Sequence, residues 1–412
     1  MKFFTVDTLE EARGKLRERF KDWKPETKKI TPGEISCITE RIILADDLYA
    51  VSDIPGFRRS IVDGYAVIAA DTAAAGDAIP VFLKLAGTVE MGKSAGFSIR
   101  GGECAYVPTG GMLPDGADAV VMIEHSENIG KNIAIYEAVA QGAGMAEAGE
   151  DLRKGELLLH KGSLIRPQEL GAMAAAGVTE FSFFAPLKLS LISTGDELVP
   201  PEKNPGPGEI RDINTQALKA LASKRGFQVI SARVLPDDEA RLEAALREAI
   251  VTCDVVAVSG GSSQGEKDFT AEVINKVSKP GVFTHGLALK PGKPTILGWD
   301  DESKTLLAGL PGHPSAAMIV FELIFGWLID ELFQCRRPFP IPARISCNVP
   351  GSPGRALCQP VMLHLEGDRY TAEPVFGKSG MISILTKADG YILVDLNKEG
   401  LKKDEPVLVH LF

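Results

Sequence analysis

The sequence predicts a multidomain protein that combines an α/β domain with two β-rich regions. Its 412 residues are enough for two to four domains of ordinary size. Strand-like and helix-like segments alternate between about residues 186 and 334, which is typical of βαβ units on a parallel sheet. Short β-like runs broken by glycines fill about residues 51–149, and alternating strands and turns follow a proline-rich linker after Cys335.

Composition and charge exclude several classes of protein. Hydrophobic residues make up 45% of the chain and charged residues 24%, which excludes a disordered chain, a collagen and a coiled-coil rod. The net charge of −10 argues against nucleic-acid binding through a basic face, although a local group of lysines can still bind a small anion. The longest apolar run, at 316–329, contains Glu322 and is too short to span a membrane. We therefore expect neither a nucleic-acid partner nor a membrane segment.

The N-terminus and the cysteines predict a cytoplasmic protein. The first residues, MKFFTVDTLEEAR, carry acidic side chains where a signal peptide needs an apolar stretch. The six cysteines include no Cys-x-x-Cys pair, and the six histidines include no His-x-x-x-His spacing. We therefore expect reduced thiols and no dedicated transition-metal site.

The first elements along the chain are predicted from caps and apolar spacing. Thr8 and Glu11 form a capping box before apolar residues at helical spacing, which predicts an opening amphipathic helix. We expect a second helix at about 38–49. Residues 155–178 predict a strand, a turn and a helix whose first turn carries Pro167.

Three loops follow strands of the predicted α/β domain and carry small residues where the chain leaves the strand. They are Ser193-Thr-Gly-Asp-Glu197, the glycine-rich stretch from Ser259 to Asp268, and Leu310-Pro-Gly-His-Pro-Ser315. Glycine lets backbone N–H groups approach a ligand, and a following helix N-terminus favours an anion. A plain turn explains any one of these loops. Three loops at the same edge of one sheet favour a binding site.

Charged residues near these loops indicate a phosphate site with magnesium. Lys290 and Lys293 lie in a turn stiffened by two prolines and a glycine, which suits a phosphate or an oxyanion better than a solvated turn. Glu197 and Asp268 follow neighbouring strands, and Mg²⁺ takes one or two carboxylates together with phosphate oxygens. The alternative for each acid is a helix cap or a surface charge.

Further motifs are ambiguous when they are judged by spacing alone. They surround Asp63, Asp151 and Thr109, and tight turns explain all three equally well.

The motifs and their order give the chain a resemblance to the molybdopterin molybdenumtransferase family, which includes MoeA and the gephyrin E domain. They extend from about residue 51 to 391, so the resemblance covers nearly the whole chain. The matching stretches are PGF-x-x-S-x-x-DGYAV, PTGG-x-x-P-x-GADAVV, AGED, STGDEL, G-x-I-x-D-x-N at 208–214, VSGG-x-S-x-G-x-x-D, LKPGKP, LPG-x-P and a late ADG.

The resemblance implies an elongated four-domain homodimer. It implies a discontinuous α+β linker and dimerisation domain at 1–50 and 150–185 and a β-rich domain inserted at 51–149. An α/β molybdopterin-binding domain at 186–334 and a C-terminal β domain at 335–412 complete the division. The ligand cleft would lie between the α/β domain of one subunit and the β-rich and C-terminal parts of the other.

The resemblance also implies an activity: molybdate is inserted into adenylylated molybdopterin with Mg²⁺, and AMP and the molybdenum cofactor are released. A separate molybdopterin adenylyltransferase would supply the substrate, and cofactor-accepting molybdoenzymes would receive the product. Two other activities stay open, the adenylyltransferase step itself and a non-catalytic molybdopterin-binding scaffold.

The implied roles fall on residues of the matching motifs. The implied catalytic residues are Asp63, Asp151, Glu197 and Asp268, of which Glu197 and Asp268 would also bind the metal. The implied substrate-binding residues are Ser60, Thr109, Ser193, Thr194, Gly195, Asp196, Ser259, Gly260, Gly261, Lys290, Lys293, Pro311, Gly312 and His313. This chain departs from the family pattern at Arg58 and Arg59, at 146–148, at His313 and at Ile384.

Overall fold

The structure is a computed structural model, and it describes residues 6–37, 41–260 and 269–412. Residues up to 187 form mainly short strands, together with two α-helices and short 3₁₀ turns at Pro32–Cys37, Ala69–Thr72 and Ile123–His125. The helices are α1 (Leu9–Phe20) and α2 (Pro167–Ala175), and the strands are β1 (Thr27–Ile30), β2 (Leu48–Tyr49), β3 (Arg59–Ser60), β4 (Gly64–Val67), β5 (Val81–Thr88), β6 (Glu103–Val107), β7 (Ala119–Met122), β8 (Ser126–Ile129), β9 (Asn132–Ile135), β10 (Met145–Ala146), β11 (Leu157–Leu159) and β12 (Phe181–Phe184).

The middle of the chain alternates strands and helices as predicted. Its strands are β13 (Lys188–Thr194), β14 (Leu198–Val199), β15 (Ile210–Arg211), β16 (Gln228–Leu235), β17 (Val255–Ser259), β18 (Pro280–His285), β19 (Leu289–Lys290), β20 (Ile296–Asp300) and β21 (Thr305–Leu310). Its helices are α3 (Asn214–Arg225), α4 (Glu239–Thr252), α5 (Phe269–Val277), α6 (Pro314–Phe321) and α7 (Trp327–Leu332), the last two joined by a π-helical turn at Glu322–Gly326.

The C-terminal region is a small β structure, as predicted. Its elements are β22 (Ile341–Ile345), β23 (Val349–Pro350), β24 (Ala356–Glu366), β25 (Arg369–Pro374), α8 (Ser383–Lys387), β26 (Gly390–Val394), β27 (Gly400–Leu401) and β28 (Pro406–Leu411). Strands β24, β25, β22, β28 and β26 pair in that order, and β26 pairs again with β24, so these described strands close into a barrel. None of the helices in the described ranges has the length and apolar content that a membrane crossing requires.

The opening helix is confirmed, and the second predicted helix is wrong. In α1 the Glu11 amide donates to Thr8 Oγ1 at 3.2 Å, and the Thr8 amide donates to the Glu11 carboxylate at 2.7 Å. Within the predicted helix at 38–49, the described residues are extended, and β2 pairs with β11. The reason lies at 42–45, where four consecutive apolar residues are all buried. Periodicity does not distinguish such a short apolar run from part of a helix.

The six-stranded sheet of the α/β domain is mixed, and four of its described strands are parallel, as the βαβ pattern predicted. The described strands lie in the order β16-β13-β17-β21-β20-β18. The first four are parallel, whereas β20 is antiparallel to both of its neighbours. Only residues 301–304 connect β20 to β21, and a link this short makes a hairpin because a parallel crossover needs a dozen residues or more.

The strand register brings the ends of three parallel strands together. Ser193 of β13 pairs with Ser259 of β17, which pairs with Leu310 of β21. Ile296, the first residue of β20, lies opposite Gly309 at the same edge. The carboxyl ends of the parallel strands and the start of β20 therefore share one edge, where ligands bind in open α/β sheets.

The remaining contacts attach the other regions to this sheet. One buried cluster includes Leu16 and Phe20 of α1, Trp299 of β20 and Tyr391 of β26. A separate cluster joins residues 30–50 to residues 173–181. The β-rich region 64–135 has its own sheet, in the order β7-β4-β6-β5-β9-β8. The domain boundaries expected from the sequence stay a prediction.

Candidate functional site

The three strand-end loops meet at the edge described above. Ser193 and Ser259 are both buried, and they close two adjacent strands. The Ser193 hydroxyl lies 2.8 Å from the Thr215 hydroxyl in the first turn of α3. This hydrogen bond joins the first loop to a helix of the domain, so the turn after β13 has a fixed position.

Asn214 joins the second loop to the third. Its Nδ2 donates to Ser259 Oγ at 2.6 Å and to the Gly312 carbonyl at 2.8 Å. The sequence analysis placed Asn214 in a family motif and gave it no role. The sequence did show Asn214 at the start of a predicted helix, two residues after Asp212. That local pattern does not show which distant residues the Asn214 side chain contacts.

Gly260 brings the second loop against the first. Its φ is +105°, and a Cβ there would lie 2.9 Å from Thr194 Oγ1 and closer still to the Thr194 carbonyl oxygen. Only glycine fits this approach without displacing the end of β13. Gly261 and Asp268, which were also predicted for this loop, lie outside the described residues.

Acidic side chains follow the first strand. Asp196 and Glu197 are exposed, and the Asp237 amide donates to Asp196 Oδ1 at 3.1 Å. Burial raises the pKa of Asp237, and the negative charges of Asp196 and Glu197 raise it further. Burial is the main cause of this shift, and the smaller electrostatic contribution reflects the carboxylates of Asp196 and Glu197 close to Asp237.

The donor set at this edge fits Mg²⁺ in part. Magnesium prefers oxygen ligands and completes a site of one or two carboxylates with phosphate oxygens and water. Glu197 supplies one exposed carboxylate, and the predicted second ligand, Asp268, lies outside the described residues. Among the described residues, no group of three or more histidine, cysteine or carboxylate side chains could hold a metal by itself. The described residues therefore supply one of the two predicted carboxylate ligands.

The basic turn lies between two sheets. Lys290 ends β19, which pairs with β24 of the C-terminal barrel, and Lys293 is exposed three residues before β20 begins at the site edge. Gly292 has a φ of +128°, and a Cβ there would lie 2.7 Å from a methyl group of Val320 on α6. The turn is thus packed tightly against the domain, which limits where the two lysines can lie.

The third loop contacts the C-terminal region of the same chain. His313 Nδ1 lies 2.8 Å from Ser379 Oγ, and the Ser315 hydroxyl donates to the Ser379 carbonyl at 2.6 Å. The resemblance implied that the C-terminal part of the cleft comes from the other subunit. Ser379 reaches this loop from its own chain, and the expectation about the other subunit stays a prediction.

The predicted residues of the β-rich region form a separate group. The Thr109 amide donates to Asp63 Oδ1 at 2.7 Å, so these two residues are brought together as expected. Asp151 lines a cavity of about 610 Å³, and Met145, which lines it too, pairs with the buried Ser60. Among the described residues, no hydrogen bond or ion pair joins Asp63 or Asp151 to the strand-end loops.

Comparison with known proteins gives one consistent result along the chain. Family models match residues 8–177 (MoeA N-terminal region, domain I and II), 190–330 (a probable molybdopterin binding domain) and 342–412 (MoeA C-terminal region, domain IV). A Haemophilus influenzae protein named molybdopterin molybdenumtransferase is 30% identical over 98% of each chain. A Methanocaldococcus jannaschii protein named for molybdopterin biosynthesis is 32% identical over 98% of this chain and 97% of its own. The chain belongs to the molybdopterin molybdenumtransferase family.

A solved molybdenumtransferase-family structure has the same architecture. The molybdopterin biosynthesis MoeA protein of Pyrococcus horikoshii is 35% identical, covers 99% of both chains and has a TM-score of 0.79. The family and the combination of α/β and β regions predicted from the sequence are therefore confirmed. Within this molybdenumtransferase fold, the structure adds Asn214, Asp237 and Ser379 to the residues expected at the sheet edge.

Proposed function

We propose that this protein inserts molybdate into adenylylated molybdopterin and releases AMP and the molybdenum cofactor. The observation that supports this activity is the meeting of three strand-end loops, a basic turn and a C-terminal segment at one sheet edge. The substrate combines a diphosphate, a nucleoside and a dithiolene, and molybdate is a further anion. Positioning and charge stabilisation carry such a reaction, without a nucleophilic side chain.

Cationic and backbone donors would hold the anionic parts of the substrates. Lys290 and Lys293 are exposed on a tightly packed turn, so the backbone that carries them loses little further freedom when the side chains bind phosphate or molybdate. The turns at Ser193–Gly195 and Ser259–Gly260 would approach the nucleotide and the pterin with backbone N–H groups.

Glu197 and Asp268 would hold the magnesium ion together with phosphate oxygens. When bound, the ion supplies positive charge that neutralises the phosphate being released as AMP. The carboxylates of Asp196 and Asp237 lie beside Glu197 and add to the negative charge that draws a cation to this edge.

We propose that the working form is a homodimer in which the β-rich region of one subunit completes the site of the other. This arrangement follows the family resemblance, which implies that the β-rich part of one subunit faces the α/β domain of the other and would bring Asp63, Thr109 and Asp151 to its strand-end loops. A molybdopterin adenylyltransferase would supply the substrate, and cofactor-accepting molybdoenzymes would take the product.

An insertion assay tests the proposal. The purified protein is incubated with adenylylated molybdopterin, molybdate and Mg²⁺, while AMP release and the reconstitution of a cofactor-free molybdoenzyme are followed. Release of AMP that depends on molybdate would support the activity. Glu197→Gln should lose it, whereas Glu202→Gln, which alters an exposed glutamate in the following loop, should keep it.

Two other outcomes would replace the proposal. Formation of adenylylated molybdopterin from ATP and molybdopterin, without molybdate-dependent AMP release, would establish an adenylyltransferase. Tight binding of the adenylylated pterin with no turnover would establish a scaffold.

A further inference from the structure

Asn214 occupies a position from which one side chain reaches two loops. It is the first residue of α3, and both contacts of its Nδ2 are at hydrogen-bond distance, 2.6 Å to Ser259 Oγ and 2.8 Å to the Gly312 carbonyl. Because a carbonyl oxygen only accepts, the Gly312 contact fixes which end of the amide is the nitrogen. The donor end of Asn214 is therefore fully used between the turn after β17 and the turn after β21.

The helix that carries Asn214 is itself firmly attached. Leu218 and Ala222 of α3 are 2% and 0% exposed, so the helix is packed into the core. Its first turn is joined to β13 by the hydroxyl contact between Ser193 and Thr215, and the Thr215 amide donates to Asp212 Oδ1 at 3.1 Å. Asn214 thus connects two loops to a rigid element rather than to another loop.

The oxygen of the same amide, in contrast to the nitrogen, makes no hydrogen bond to the described residues. Asn214 Oδ1 is buried and, among the described residues, has no hydrogen-bond partner. An unpaired buried acceptor is unfavourable, so the acceptor does not account for an asparagine at this position. The two N–H donors are what the position uses.

We infer that Asn214 is a positioning residue that sets the spacing between the Ser259–Gly260 turn and the Pro311–Gly312 turn. Its effect on the reaction rests on the proposed function, because the Ser259–Gly260 turn presents backbone donors that would hold the adenylylated pterin. Without the two N–H donors, the Gly312 carbonyl would turn to water, and Ser259 would keep only a 3.5 Å contact to the Pro311 carbonyl.

Two substitutions separate the donor role from simple packing. Asn214→Asp preserves the size and shape of the side chain, removes both donors and places an anion against the Gly312 carbonyl. Asn214→Ala removes the side chain. Asn275→Ala is the matched control: its Oδ1 accepts from the Val282 amide at 2.8 Å, and Val282 pairs with β20 at Gly298, away from the strand-end loops.

Four quantities are measured on the full-length protein: thermal stability, hydrogen exchange, and the KM and kcat of molybdate-dependent AMP release. Exchange is followed in peptides that cover residues 255–260 and 306–317. We expect Asn214→Ala and Asn214→Asp to speed exchange in both peptides and to raise KM at least about tenfold, since each variant loses the two hydrogen bonds that Asn214 donates. Asn275→Ala should change neither quantity.

Hydrogen exchange in the two Asn214 variants decides whether the inference stands. If Asn214→Asp exchanges like the unmodified protein and only Asn214→Ala differs, the residue fills space and the inference is wrong. Unchanged exchange in both variants overturns it as well. If the unmodified protein releases no AMP, the proposed function fails, and faster exchange at the two peptides still supports the positioning role of Asn214.

Discussion

Replacing Gly260 by alanine tests whether the first two loops touch as closely as the structure places them. The new Cβ would lie 2.9 Å from Thr194 Oγ1 and closer still to the Thr194 carbonyl oxygen. The backbone at Gly260 also has a φ of +105°, a conformation that residues with a side chain rarely adopt. Thr194 is the last residue of β13 and cannot move away without disturbing the sheet.

The expected loss of stability follows from these two effects. Holding a non-glycine residue in a sparsely populated backbone conformation costs about 1–3 kcal/mol. Forcing an extra carbon into a packed site costs about 1–3 kcal/mol more. We therefore expect Gly260→Ala to lower the free energy of unfolding by about 2–6 kcal/mol, toward the upper end because the closest neighbour is backbone.

The measurement is urea unfolding followed by tryptophan fluorescence, since Trp299 is buried on β20 of the same sheet. Gly312→Ala is the control: a Cβ there would have the Gly260 Cα as its nearest atom, at 3.8 Å, and it should change stability by no more than about 0.5 kcal/mol. A Gly260→Ala protein as stable as this control would refute the close approach of the two loops.

Three further substitutions test other parts of the structure. Gly195→Ala places a Cβ 2.7 Å from the exposed carboxylate of Glu197, which can move aside. Stability should therefore stay nearly unchanged, while the Mg²⁺ concentration needed for AMP release rises. An unchanged Mg²⁺ dependence would contradict the assignment of Glu197. Glu322→Ala leaves Arg225 without its buried partner and should cost about 3–5 kcal/mol in urea unfolding, whereas replacing both residues by apolar ones should recover most of that loss. Burial lowers the pKa of His410, so the unfolded chain binds a proton at a higher pH than the folded protein does. The stabilisation that His410 contributes is therefore present above its ordinary pKa of 6.5 and is lost as the pH falls through the lowered pKa. His410→Phe should reduce the fall in urea midpoint below pH 6.5, and an equally steep fall would rule out the contribution of His410.

Elements whose start or order is marked by a local sequence pattern were predicted from the sequence. The capping box at Thr8 marked the start of α1, and the alternation of strands and helices placed three strand-end loops at one edge. The helix expected at 38–49 is wrong in its described part because consecutive buried apolar residues have no helical or strand period. The antiparallel β20 also escaped prediction, since direction depends on a connection of only four residues.

Some residues at the candidate site were named from the local sequence, and others were found only from the structure. Lys290, Lys293 and the glycines were named from the sequence because their turns are stiff or glycine-rich, and their binding roles stay predictions. Asn214 and Ser379 were not, since each acts through a partner far away in the sequence: Asn214 reaches Gly312, and Ser379 reaches His313. Asp268 and Gly261 lie outside the described residues, so their predicted roles stay predictions.

The C-terminal region is attached to the candidate site at two places. Strand β19, which ends at Lys290, pairs with β24 of the barrel, so the first lysine of the basic turn is held by the barrel's own hydrogen bonds. On the other side, Ser379 accepts from Ser315 and contacts His313 at the start of α6. Two separate attachments fix a rigid body far better than one. The position of the basic turn relative to the third loop therefore depends on the C-terminal region. Substitution of Ser379 should alter anion binding, although Ser379 is distant in the sequence from Lys290 and Lys293.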